Sequence, residues 1–223
     1  MAIASLVREG VRLADVGTDH ALLPIYLVGT GHNPWAVASD VHAGPLSRAE
    51  KAVREAGLSN RICTVLADGL DGLEKYEPQD IVIAGMGGEL IARIISGADF
   101  VRNPDIRLLL QPMTRSPDLR SFLAENGFSV ICDTLCEDDK IYEILCAAYD
   151  GKKRVLSPLV RLVGADCIKR GDPLSVRHMR RHVQLLRRRA DGKGLAGQDT
   201  WEEEMLIAQL EEAICRSSNC TEN

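Results

Sequence analysis

The chain has 223 residues, 45% hydrophobic and 26% charged, which is enough for a packed core in one large domain or a domain with an appendage. No apolar run approaches the roughly 20 residues of a membrane span, and no charged segment followed by an apolar stretch precedes the first strand pattern, so neither a membrane protein nor a signal peptide is expected. The net charge of −5 excludes a uniformly basic nucleic-acid binder, yet it is uneven: residues 1–150 carry 13 Lys/Arg against 22 Asp/Glu, and residues 151–198 carry 13 against 3.

The pattern predicts a strand over Val11–Val16, a helix over His20–Val28 and a strand over Trp35–Ser39 that ends at Asp40. An amphipathic helix, Gly44–Ala56, is closed by Gly57. A third strand, Ile62–Ala67, ends at Asp68, and a fourth, Asp80–Ala84, runs into the turn Gly85-Met86-Gly87-Gly88. Helix Glu89–Ile95, strand Ile106–Leu110 and helix Pro117–Glu125 follow. The strands Phe128–Cys136 and Ile141–Tyr149 flank a turn too short for a crossover helix, so they pair antiparallel. The expected fold is α/β: a Rossmann-like, mostly parallel seven-stranded sheet with one reversed strand. The terminal hairpin favours the class I methyltransferase version over a dinucleotide dehydrogenase.

A linker around Gly151–Gly171 leads to an αα-hairpin, giving an expected division into a domain of residues 1–150 and a basic helical, coiled-coil-like domain of residues 151–223. Asp172-Pro173 is an N-cap followed by proline at the first helical position. Val176, Met179, Val183, Leu186 and Ala190 form a narrow seam suited to one partner helix. Asp191–Gln198 reads as a helix break, and Thr200 with Glu203 as a capping box. Leu206, Leu210 and Ala213 form the facing stripe, and the last residues, from about Ser217, read as frayed.

The seven cysteines form no CxxC pair, and several, such as Cys63, Cys132 and Cys146, sit in apolar runs. They read as reduced, mostly buried thiols of a cytoplasmic protein. No ligand cluster suggests a metal: His178 and His182 are four apart but are flanked by Arg177, Arg180 and Arg181, which repel cations. No membrane partner is expected, and a monomer is.

Three acids, Asp15, Asp40 and Asp68, end three consecutive strands and in this topology share one edge of the sheet, where ligands bind. Asp40 lies 25 residues after Asp15, near the spacing of a ribose-binding acid. Asp68-Gly69-Leu70 suits an adenine, with a carboxylate for its exocyclic amine and then apolar contact on the ring. Strand-end acids also serve as turn formers, but three in register favour a site. The glycine fingerprint is incomplete: Asp15-x-Gly17-x-Asp19-x-Ala21 keeps only its first glycine. Gly85, Met86 and Gly87 follow the strand after which methyltransferases place the transferred methyl. Asp19 and His20 are candidate acid/base or cofactor-orienting groups, with a capping pair as the structural alternative.

Lys152, Lys153, Arg154, Arg177, Arg180, Arg181, Arg187 and Arg188 exceed ordinary surface charge, and a phosphate backbone is their natural counterpart. The competing account is internal neutralisation by Glu202, Glu203, Glu204, Glu211 and Glu212.

The segments ADVGTDHALLPIYL, GPLSRAEKAV, ADGLDGL, IVIAGMGGELIARII, LLLQPMTRSPDLRSFLAENGF and KIYEIL together resemble the bacterial tRNA adenine-N1-methyltransferase family TrmK, which modifies adenosine 22 of tRNA. The resemblance covers most of residues 11–150 and extends loosely into the tail. It implies an S-adenosylmethionine site, with Asp15, Gly17, Asp19 and His20 around the methionine end, Asp40 at the ribose, Asp68 and Gly69 at the adenine, and Gly85 to Gly88 at methyl transfer. It further implies tRNA as partner. Methylation at N1 leaves the base cationic until it loses a proton, so a nearby carboxylate would help, with Asp19 as the first candidate acceptor and His20 as the second. Leu22 and Leu46 depart from the family, standing where it commonly has aromatics. A small-molecule methyltransferase and a non-catalytic RNA-binding protein on a degenerate fold remain the alternatives.

Overall fold

The computed structural model describes residues 2–219. Seven strands, β1 (Leu13–Val16), β2 (Ala36–Asp40), β3 (Ile62–Leu66), β4 (Asp80–Gly87), β5 (Arg107–Thr114), β6 (Phe128–Glu137) and β7 (Ile141–Tyr149), form one sheet in the order β3-β2-β1-β4-β5-β7-β6. The pairs β1–β2, β1–β4, β2–β3 and β4–β5 are parallel, and β7 is antiparallel to β5, as expected.

The four central strands are near-continuous apolar runs because helices cover both their faces. On one face Val16, Ile81, Ile83, Leu108 and Leu110 pack under α3 (Gly88–Ser96) and α4 (Ser116–Glu125). On the other, Leu13, Ala36, Val82 and Leu109 pack under α1 (Leu22–Gly29) and α2 (Ala43–Glu55). At the edge where the strands begin, fully buried Asp80 takes the Arg8 backbone N–H at 2.7 Å and its Nε–H at 2.8 Å. The winding direction reverses between β1 and β4, and the crevice of a doubly wound sheet opens at the opposite edge, beyond the strand ends.

Several boundaries differ from expectation. Strand β1 begins at Leu13, and α1 begins at Leu22, leaving His20 in the preceding turn. Ala21 is left-handed (φ 49°), with its N–H bound by the Thr18 hydroxyl at 3.1 Å, so the helix starts only beyond it. The expected turn Gly85-Met86-Gly87-Gly88 is instead the irregular end of β4 through Gly87 and the first residue of α3, and β5 continues through Thr114 to pair with β4.

The chain forms two compact units, Met1–Cys132 with Ile144–Arg154, and Asp133–Glu143 with Val155–Asn223. In the second, the expected linker holds two short helices, α5 (Pro158–Val163), capped by Ser157, and α6 (Ala165–Arg170). Helix α7 (Pro173–Leu195) is capped by Asp172, whose carboxylate accepts the Ser175 N–H at 2.7 Å. It runs unbroken through Gly192 and Gly194: an interior glycine costs only about 1 kcal/mol, and Lys193 is tied to Glu203 at 2.7 Å. That ion pair also removes Glu203 from the expected capping box, and the Thr200 hydroxyl bonds Glu204 instead. The seam is wider than one partner helix needs, since Met179, Val183 and Leu186 share a core with Val163, Cys167 and Leu135 as well as with Leu206, Leu210 and Ala213 of α8 (Trp201–Asn219). Helix α8 continues past Ser217 to Asn219, and residues 220–223 of the expected frayed end lie outside the described residues.

Of the described cysteines, only Cys146 and Cys167 are buried; Cys63, Cys132 and Cys136 are partly covered and Cys215 is exposed. Two of the partly covered thiols lie on β6, an edge strand with fewer neighbours than a central one.

Candidate functional site

The ends of β1 to β4 enclose a cleft of about 410 Å³. Of the residues singled out in the sequence, Gly17, Asp40, Asp68, Gly69, Gly85 and Met86 line it, while Asp15, Asp19, His20 and Gly87 do not.

The end of β1 is tied to the end of β2, the N–H groups of Gly17 and Thr18 both donating to the Ser39 carbonyl, at 2.8 and 2.9 Å. Gly17 has φ +81°, and a Cβ built on it would lie 2.1 Å from Met86 Cε. Asp40 closes β2, and its Oδ1 accepts the His42 N–H at 2.7 Å. Among the described residues no hydrogen bond reaches Oδ2, so this mostly covered carboxylate keeps one acceptor for a ligand. The Ala67 N–H donates to the Asp40 carbonyl at 3.1 Å, which brings Asp68 and Gly69 to the same rim. Gly69 is left-handed and packs against Ile94.

Asp15 sits one residue inside β1, opposite Ala38 and Val82. Burial raises its carboxyl to about 6, partly offset by a hydrogen bond from Thr18. It serves its own turn and does not reach the cleft wall. The Asp19 carboxylate is exposed and accepts the Arg48 Nε–H at 2.8 Å, with His20 Nε2 3.5 Å from its other oxygen. Sequence reasoning missed Arg48, which reaches Asp19 from the second turn of α2. It also missed His42 and the cleft-lining face of α3, Leu90, Arg93 and Ile94, whose i, i+3, i+4 spacing is the available signal. Neither Leu22, which is exposed, nor Leu46, which is buried, lines the cleft.

The basic residues divide. Lys152, Lys153 and Arg154 belong to the first unit, and the α7 arginines to the second. Arg154 is engaged by Asp150, whose carboxyl it holds down at about 2. Arg177 pairs with Glu137, and Arg187 with Glu211 at 2.5 Å. Arg180, Arg181 and Arg188 are exposed and make no ion pair among the described residues. On the 3.6-residue helix period Arg181 and Arg188 lie opposite the buried Met179, Val183 and Leu186, and Arg180 lies on the flank between the two faces. Neutralisation by α8 is therefore partial, because Glu212 pairs with Arg216 of its own helix. Among the described residues no group of three His, Cys, Asp or Glu could hold a metal, and no helix is long and apolar enough to cross a membrane.

Sheet order and cleft define a methyltransferase domain, and the family model described as a methyltransferase domain matches residues 1–145. A tRNA (adenine(22)-N(1))-methyltransferase of Bacillus subtilis is 37% identical over 158 residues, covering 67% of this chain and 66% of the relative, just under two thirds of its length. A Streptococcus pneumoniae protein solved with S-adenosyl-L-methionine superposes with TM-score 0.82 at 33% identity over 96% of both chains. The B. subtilis M1A22 tRNA methyltransferase TrmK superposes with TM-score 0.80 at 28% identity over 98% of this chain and 95% of its own. The chain belongs to this tRNA (m1A22) methyltransferase family, which bears out the resemblance seen in the sequence.

Proposed function

We propose that the chain is an S-adenosylmethionine-dependent tRNA methyltransferase acting on N1 of adenosine 22. The observation that carries the reading is the convergence of Gly17, Asp40, Asp68, Gly69 and Gly85 on one cleft. Its volume of about 410 Å³ suits a nucleoside-sized ligand. The residues fit the cofactor: Asp40 Oδ2 would take a ribose hydroxyl, Asp68 with Gly69 the adenine, and Gly17 the methionine end. When bound, the cofactor supplies an electrophilic methyl on a sulfonium. The protein's part is alignment and exclusion of water, with Gly85 and Met86 lining the transfer region.

Adenine N1 attacks through its in-plane lone pair, so the base must leave its stack to be reached. The methylated base is cationic until it loses a proton. Asp19, held by Arg48 and 3.5 Å from His20 Nε2, and His20 itself are the candidate proton acceptors, reached from the cleft only once the turn that carries them moves toward it. Residues 1–150 form the catalytic domain in this reading, and residues 151–223 the tRNA-contacting one. The unpaired arginines of α7, with Lys152 and Lys153, meet the phosphate backbone; with so few aromatics, shape and charge dominate over stacking. The protein acts in the cytoplasm as a monomer.

Transfer of labelled methyl to unmodified tRNA, followed by digestion to nucleosides, tests the reading. Label on adenine N1 is expected. Intact tRNA binding with no transfer would favour the non-catalytic alternative, and transfer to small acceptors alone would favour the small-molecule one.

A further inference from the structure

Gln111 stands where β5 stops matching β4. The ladder pairs Ala84 with Gln111, passes over Gly85 and resumes with Met86 opposite Pro112. Gly85 is left at an irregularity, with φ +76°. The Gln111 side chain supplies the missing acceptor, Oε1 taking the Gly85 N–H at 3.0 Å. Its Nε2 lies 3.3 Å from the Pro112 carbonyl and 3.5 Å from the Met113 sulfur. Because the Gly85 N–H can only donate, the amide must present its oxygen to it.

A Cβ on Gly85 would meet nothing within 4 Å, so glycine is required there by backbone direction and not by crowding. The residue's open side is part of the cleft wall. A second clamp lies just beyond: a Cβ on Gly88 would be 2.5 Å from the carbonyl oxygen of Arg115, itself left-handed at φ 61°. The glycine turn is thus tied to β5 by a side-chain amide at Gly85, and at Gly88 it passes too close to the backbone just beyond β5 for any side chain to fit.

We propose that Gln111 is a positioning residue for methyl transfer: through Gly85 it sets the backbone wall against which donor and accepting base meet. The inference rests on the methyltransferase reading above. In-line displacement needs reacting atoms about 3–3.5 Å apart and aligned, and a misplacement of about 1 Å costs on the order of 100-fold in rate. A wall whose N–H has lost its acceptor is no longer fixed at that point, and kcat reads the displacement.

The test compares Q111M, similar in size but without the acceptor, with Q111E, whose carboxylate keeps an oxygen for the Gly85 N–H. Three quantities are read: residue-resolved hydrogen exchange at Gly85, and kcat and KM for methyl transfer to unmodified tRNA at saturating cofactor. Q111M is expected to exchange Gly85 about tenfold faster and to lose about 10- to 100-fold in kcat, with KM changed by less than about threefold. Q111E is expected to restore both exchange and kcat. Unchanged exchange or unchanged kcat in Q111M, or equal impairment in Q111E, overturns the role of Gln111 while leaving the functional reading intact. A wild-type protein that protects Gly85 yet transfers no methyl to tRNA overturns the functional reading, and this role with it.

Discussion

The terminal methyl of Met86 occupies the place where a side chain on Gly17 would begin, 2.1 Å from a Cβ built there. Two strand ends from the two halves of the sheet are thereby in contact at the floor of the cleft. Gly17→Ala meets both this contact and an unfavourable φ of +81°. Its affinity for S-adenosylmethionine should fall at least about tenfold, read by calorimetry, and M86A should not restore it because the backbone penalty of about 1 kcal/mol or more persists.

Asp40→Ala removes the carboxylate assigned to the ribose. Hydrogen bonds to a charged group contribute about 1.5–3 kcal/mol each, so the loss of one such bond corresponds to roughly a 10- to 150-fold weaker cofactor. D40N, which keeps an acceptor, should fall between. Unchanged affinity in D40A would place the ribose elsewhere.

Asp15 gives the fold a pH dependence of unusual sign. Its carboxyl titrates at about 6 in the folded chain and near the ordinary carboxylate value of 3.8 when unfolded, so the folded state binds the extra proton between those values. Stability therefore falls as pH rises from about 4 to 6, and the ionised group costs up to about 3 kcal/mol at neutral pH. D15N should be more stable than wild type at pH 7 and no more stable at pH 3.5, as measured by urea titration at the two pH values. Equal midpoints at pH 7 would show that Asp15 is solvated.

The arginines of α7 should separate by partner. Replacing Arg180, Arg181 and Arg188 with alanine should weaken tRNA binding and lower the slope of log affinity against log salt by about two to three. Arg187→Ala should change the slope far less, because Glu211 already holds that side chain. Filter binding over a salt series reads both, and a slope for the triple variant unchanged from wild type would remove this face of α7 from the interface.

How much was legible in the sequence follows the range of the interactions involved. The succession of strands and helices, the closing hairpin and the core of β1, β2, β4 and β5 follow from local apolar runs and turn residues, which act over a few neighbours, whereas the order of the strands in the sheet does not. The motif resemblance, carried by contiguous segments, was legible in the same way and named the family. Tertiary structure alone decided which acids face the cleft. Asp40 and Asp68 reach it, while Asp15 stays inside its strand and Asp19 is engaged by Arg48, 29 residues away in the chain. Likewise the glycines of α7 suggested a break, but the helix continues where Lys193 meets Glu203 on the next helix. The bond between Gln111 and Gly85 is of the same kind, since a side chain completes a ladder only once two distant strands lie side by side. Propensity and period are properties of neighbouring residues, whereas the partner of a charge or of an orphan N–H depends on packing between elements far apart in the chain.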